Sequence, residues 1–202
     1  IEHVEAYIYG ANGNIQRLTT GYAYPREFSL HYGKSVNLKP DETYRVLIHF
    51  TSRYYASFPR FEFLPRNDYQ RQVLVDNLLA IGAFGALAAL AVFNFFIYLL
   101  VREKSHLYYS IYLVTFSFGW LFPFQVFTQL WGFQDLRWHY LPIFLCPLTC
   151  GLFCIEFLRL RQEAPKLAWW IGVPAVIAAF LGISCFVALP YAHILASGIV
   201  AI

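Results

Sequence analysis

The 202-residue chain has no methionine, no cysteine before Cys146 and no tryptophan before Trp120. Without cysteine the first part of the chain has no disulfide framework. Without tryptophan, any ring platform for a sugar in that part falls to tyrosine. Charge is scarce as well: residues 1–72 carry 16 of the 27 Asp, Glu, Lys and Arg residues, which leaves 11 for the remaining 130. The apolar runs of that remainder hold no ionisable group near their middles, so a transported ion or a retinal Schiff base has no anchor. A dispersed net charge of +3 gives no electrostatic footprint for nucleic acid. Residues 1–20 are polar and alternating, unlike the basic stub and short apolar core of a signal peptide.

Long uncharged runs dominate the rest. The first extends for 25 residues from Asn77 to Val101 and stops at Arg102, Glu103 and Lys104. A helix crosses the roughly 30 Å hydrocarbon core in about 20 residues, and helices satisfy their own backbone hydrogen bonds there. Spans are predicted over about 75–101, 107–130, 140–158 and 167–189, with a fifth starting at 191 and cut off at 202. Ile1, the lack of methionine and an end inside an apolar run predict a segment of a longer protein.

Cytoplasmic loops carry the excess of Lys and Arg. The loop after the first run holds Arg102 and Lys104, and the loop after the third holds Arg159, Arg161 and Lys166. The loop after the second holds Arg137 alone, beside Asp135. Residues 1–72 are therefore placed outside. Trp131 and Trp138 then fall at the outer interface and Trp169 and Trp170 at the inner one.

The outer segment has period two. Val4, Ala6 and Ile8 alternate with Glu5, Tyr7 and Tyr9, and Tyr44, Val46, Ile48 and Phe50 alternate with Arg45, Leu47, His49 and Thr51. Asn12-Gly13 accepts positive φ and favours a tight hairpin. Strands are predicted near 4–9, 14–19, 27–31, 34–38, 43–51 and 60–64, an antiparallel β-sandwich segment whose other half is expected upstream, because so short a stretch buries little surface alone. The division is residues 1–68, the C-terminal part of an outer sensor domain, and residues 69–202, a helical bundle.

Several residues are candidates for function. Tyr22, Tyr24, Tyr32, Tyr54 and Tyr55 fall near loops or strand ends, where rings stack on sugars or fill a sheet edge. Arg66, Arg71, Asp76 and Asn77 lie at the junction between sheet and helix and form a candidate coupling segment. Asn94, Gln125 and Gln129 are candidates for interhelical hydrogen bonds. Ala80, Gly82, Ala83, Gly85, Ala86 and Ala89 give the first helix a small face that admits a close neighbour or a second protomer. Cys146, Cys150 and Cys154 recur every four residues on one helix face. Thiolates there suit a soft metal such as Cu(I), but cysteine also packs as a small apolar residue, and the paired spacing of a zinc site is missing. No metal, cofactor or catalytic residue is assigned. A transporter or channel subunit with an outer cap, and a membrane metal or redox protein using the three cysteines, remain the alternatives.

The stretch FNFFIYLLVREKSHLYYSIYL (93–113), with its aromatic helix end, charged turn and Leu107-Tyr108-Tyr109 opening, resembles the bacterial seven-transmembrane receptors with diverse intracellular signalling modules. YIYGANGNIQRLTTG (7–21) and VNLKPDETYRVLIHF (36–50) are similar to the second half of that family's extracellular sandwich. The resemblance implies a jelly-roll-like periplasmic domain that binds carbohydrate or another small ligand. It also implies seven helices in the bacterial inner membrane and a cytoplasmic diguanylate cyclase or histidine kinase outside this chain. Receptors with dimeric outputs usually associate, so a homodimer is expected.

Overall fold

The computed structural model describes residues 3–10, 13–22, 24–52, 60–122, 124, 126–133, 135, 137–188, 191–192 and 194–196. The chain divides into two compact units, 1–78 and 79–202.

In the first unit, β1 (His3–Gly10), β2 (Ile15–Thr20) and β3 (Tyr44–Thr51) form an antiparallel sheet in the order β2-β1-β3. The β1–β2 hairpin is closed by the Gly10 N–H donating to Asn14 at 2.9 Å, with Gly13 at φ 77°, a conformation that suits glycine. Its register pairs Tyr9 with Ile15 and Val4 with Thr20; across the other edge Gly10 faces Tyr44 and His3 faces Thr51. The alternation sorts the faces as the pattern predicts. Val4 and Ile8 are buried, with Val46 and Ile48 half-buried beside them. On the opposite face, Tyr7 Oη donates to Glu5 at 2.8 Å and Arg17 Nη2 at 2.9 Å, which holds the Glu5 carboxyl below its usual range.

Period two predicts three further strands, and those stretches do not enter the ladder. Within 27–31, Leu30 adopts φ 61° and the chain turns back on itself in a single Phe28–His31 bridge. Residues 34–38 are held by side chains instead: Glu27 accepts from both the N–H and the hydroxyl of Ser35, and Gln16 Nε2 donates to the Asn37 carbonyl at 3.0 Å. Asp41, at φ 61°, then turns the chain into β3. Residues 60–64 have no strand pairing among the described residues. Alternation reports that one face is buried, and an unpaired extended segment satisfies it as well as a strand does.

Helix α1 (Arg66–Val101) follows Pro65 and carries Asp68 in its first turn, both favourable at a helix start. Its 36 residues span about 54 Å at the ordinary rise. Residues 66–78 count with the sheet unit and the remainder with the second unit.

The second unit continues with α2 (Lys104–Leu121), α3 (Val126–Trp131), α4 (Arg137–Phe157), α5 (Leu160–Glu163), α6 (Pro165–Leu181) and α7 (Ser184–Val187). The contacts make successive long helices antiparallel. Ser110 donates to the Ala91 carbonyl at 2.8 Å while Phe84 meets Phe124, so α2 runs back along α1. Tyr109 packs on Phe153 and Gly119 on Pro142, so α4 reverses α2. Gly151 approaches Ala175 while Gly172 approaches Ile155, so α6 reverses α4. Glycines at these crossings let backbones close in where apolar burial gives little net drive. The basic turns at 102–104 and 159–166 therefore share one end of the bundle.

Three described helical stretches are long and apolar enough to cross a membrane: Arg66–Val101, Arg137–Phe157 and Pro165–Val187. The second predicted run, 107–130, is two helices, with Pro123 in the interval between α2 and α3. Proline offers no N–H and disfavours helix in the residue before it. In the fifth run, residues 191–192 and 194–196 are helical, and Ala192 and Ala196 join Tyr140, Phe144 and Cys185 in the main buried cluster.

Candidate functional site

The apolar face of the sheet is the floor of a groove of about 910 Å³ within the first unit. Val4, Ala6 and Ile8 from β1, Leu18 from β2, and Val46 and Ile48 from β3 form that floor. Segment 32–38 makes one wall and segment 60–65 a lip. Arg66, Tyr69 and Gln72, one helical turn apart along α1, make the other wall. The size lies in the ordinary range for small-molecule sites, and an apolar floor with a few polar wall groups is their usual chemistry.

Tyr69 organises the walls. Its phenol oxygen accepts the Gly33 N–H at 3.1 Å, and Phe28 and His31 meet its ring edge-on at centroid distances of 5.0 and 6.0 Å. Beside it, the Arg26 guanidinium lies 3.9 Å above the Tyr32 ring, with its nitrogens enclosed and no described carboxylate paired to it. Burial pushes the Arg26 pKa down, opposed by the adjacent Tyr32. His31 Nε2 sits 3.7 Å from Asp76 Oδ2, yet burial outweighs that carboxylate and lowers the imidazole below its ordinary 6.5. At neutral pH the contact therefore joins a neutral ring to an anion.

The residues singled out from sequence fall in different places. Arg66 lines the groove. Asp76 reaches His31, Asn77 is half-buried with an enclosed side-chain oxygen, and Arg71 is exposed. Tyr32 lines the groove, whereas Tyr24 sits edge-on to His3 at 5.5 Å and Tyr22 has an enclosed hydroxyl; neither of these two lines it. Tyr54 and Tyr55 lie outside the described residues, as do Gln125, His193 and the side chain of Gln129. Sequence reasoning missed Gly33, Lys34, Tyr69 and Gln72. The i, i+3 spacing of Arg66, Tyr69 and Gln72 just after Pro65 was the available signal, hidden because the helix starts nine residues before the uncharged run that betrays it.

In the helical unit, the Asn94 amide donates to the Leu90 carbonyl at 2.9 Å and its oxygen lies 3.2 Å from His106 Nδ1, so Asn94 does link α1 to α2. Gly82 and Gly85 on the small face of α1 have nothing within 4 Å of a Cβ position. Cys146, Cys150 and Cys154 are half-buried on α4, and no group of three metal-ligating side chains is assembled among the described residues.

A three-stranded sheet carrying a ligand-sized groove, followed by apolar antiparallel helices, defines a membrane protein with a β-sheet sensor segment. The family model described as 7TM diverse intracellular signalling matches residues 76–202, more than half of the chain. The chain belongs to that family, whose members are membrane receptors for intracellular signalling and whose helical domain is sensory and non-catalytic. No curated protein and no solved structure matches the chain.

Proposed function

We propose that this chain is the ligand-sensing and transmembrane portion of a bacterial inner-membrane receptor. On this reading residues 1–68 are the C-terminal part of a periplasmic β-sandwich sensor and residues 69–202 the transmembrane domain. The output, a diguanylate cyclase or a histidine kinase, lies outside residues 1–202, and this segment is not itself an enzyme. The ligand is a carbohydrate or another small periplasmic molecule, and a homodimer is the form that would drive a dimeric output.

One observation carries the reading: α1 supplies the groove wall through Arg66, Tyr69 and Gln72 and is also the first membrane-length helix. A ligand that prefers one arrangement of that wall biases the arrangement of α1, and only such a difference in affinity does signalling work. Arg66, Arg71, Asp76 and Asn77 are the residues through which the bias passes. The grouping of basic residues at one end of the bundle supports a periplasmic sheet.

The test uses the full-length protein in proteoliposomes, with a panel of saccharides and small organic acids added on the sheet side. The reading expects at least one to change the activity of the output domain without crossing the bilayer. Substrate flux with no change in output would favour the transporter instead.

A further inference from the structure

We infer that the groove takes an amphipathic organic anion, a carboxylate attached to an apolar body. This rests on the sensor reading above and names its ligand class.

The floor presented by Val4, Ile8, Val46 and Ile48 offers nothing to hydrogen-bond the hydroxyls of a sugar. An apolar body leaves no such group unsatisfied there, whereas a buried sugar hydroxyl would go unpaired. The walls carry the opposite character. Of the charged groups lining the groove, Arg60 and Glu62 pair with each other, which leaves Lys34 and Arg66. Neither has an ion-pair partner among the described residues; Lys34 Nζ reaches the Pro25 carbonyl at 3.3 Å. The nearby Glu27 carboxylate is taken up by Ser35. Tyr69 accepts the Gly33 N–H through its oxygen and keeps its own hydrogen to donate. A third cation, Arg26, backs the Tyr32 ring that lines the same wall. Two cations and a phenol O–H around an apolar floor complement one carboxylate with a hydrocarbon or aromatic tail, since charge-assisted hydrogen bonds are the strong ones.

The experiment is calorimetric titration of the full-length protein in lipid nanodiscs with 4-phenylbutyrate and with its uncharged amide, empty nanodiscs serving as the blank. The acid is expected to bind saturably and the amide about tenfold or more weakly, the loss that follows from one charge-assisted contact. Lys34→Gln and Arg66→Gln should each weaken the acid about five- to tenfold and leave the amide unchanged. Both substitutions are on the groove's walls, where they leave the sheet core untouched. Ala6→Leu, which fills the floor, should remove both ligands.

Equal binding of acid and amide, or no binding of the acid at millimolar concentration, overturns the inference. So does acid binding to residues 1–202 alone that disappears in the full-length protein, because the groove is then covered by chain outside them. A neutral saccharide displaced by Ala6→Leu, with no binding of the acid, overturns the anion class and leaves the sensor reading standing. Acid binding with an unresponsive output does the reverse.

Discussion

Gly33 donates its N–H to the Tyr69 phenol at 3.1 Å, and a Cβ built at position 33 would overlap that same ring. The two facts make glycine the residue that lets the 26–33 loop lie against the start of α1. Gly33→Ala therefore has to displace Tyr69, and overpacking of this kind costs about 1–3 kcal/mol. Tyr69→Phe keeps the packing and leaves one N–H without its acceptor, at about 1 kcal/mol. Thermal unfolding of the two variants should rank them in that order, with loss of hydrogen-exchange protection at Gly33 in both.

His31 gives the sheet unit an acid sensitivity of defined sign. Arg26, Tyr69 and Asp76 are the titratable groups around it, and burial lowers its pKa below 6.5 with Asp76 opposing. A depressed folded value means that the neutral ring is favoured by folding, so the contribution is present above pH 6.5 and lost as pH falls through the folded value. Unfolding measured between pH 7.5 and 5 should show a destabilisation that His31→Gln lacks. An identical pH profile in the variant would count against this account of the site.

Phe144 has no exposed surface and anchors the cluster with Tyr140, Cys185, Ala192 and Ala196. Phe144→Ala should cost about 3–5 kcal/mol by transfer and cavity terms. Because Ala192 and Ala196 belong to that cluster, protease cleavage after Ala188 should accelerate in the variant.

Ser110 is buried and donates to the Ala91 carbonyl across the α1–α2 contact. Ser110→Ala should weaken helix association by about 0.6–2 kcal/mol, and combining it with Asn94→Leu should be close to additive, because the two contacts share no partner. Refolding titrations in mixed micelles measure both.

The strongest sequence signals were those set by one dominant force. Uncharged runs located α1, α4 and α6, and Asn12-Gly13 with its flanking alternation located the β1–β2 hairpin in register. Alternation failed at 27–31, 34–38 and 60–64, where side chains such as Glu27 and Gln16 hold an extended chain outside any ladder. Pro123 in the second run was visible, but its consequence, a break between α2 and α3, depended on what surrounds it. The groove was hidden because it needs the sheet face, segment 32–38 and one side of α1 together. The aromatic residues read as a sugar platform were chosen by type, and of Tyr22, Tyr24 and Tyr32 only Tyr32 reaches the groove.

The central claim, that occupancy of the groove passes through α1 to the output, is tested most directly with Val75→Pro. Val75 is exposed and lies on α1 beyond the groove wall, so proline there breaks the helix without touching the lining residues. Ligand affinity and output activity are measured on the same full-length preparation. The account predicts affinity within about twofold of the parent and an output that no longer responds to ligand. A full response of the output in Val75→Pro, at unchanged affinity, would contradict it.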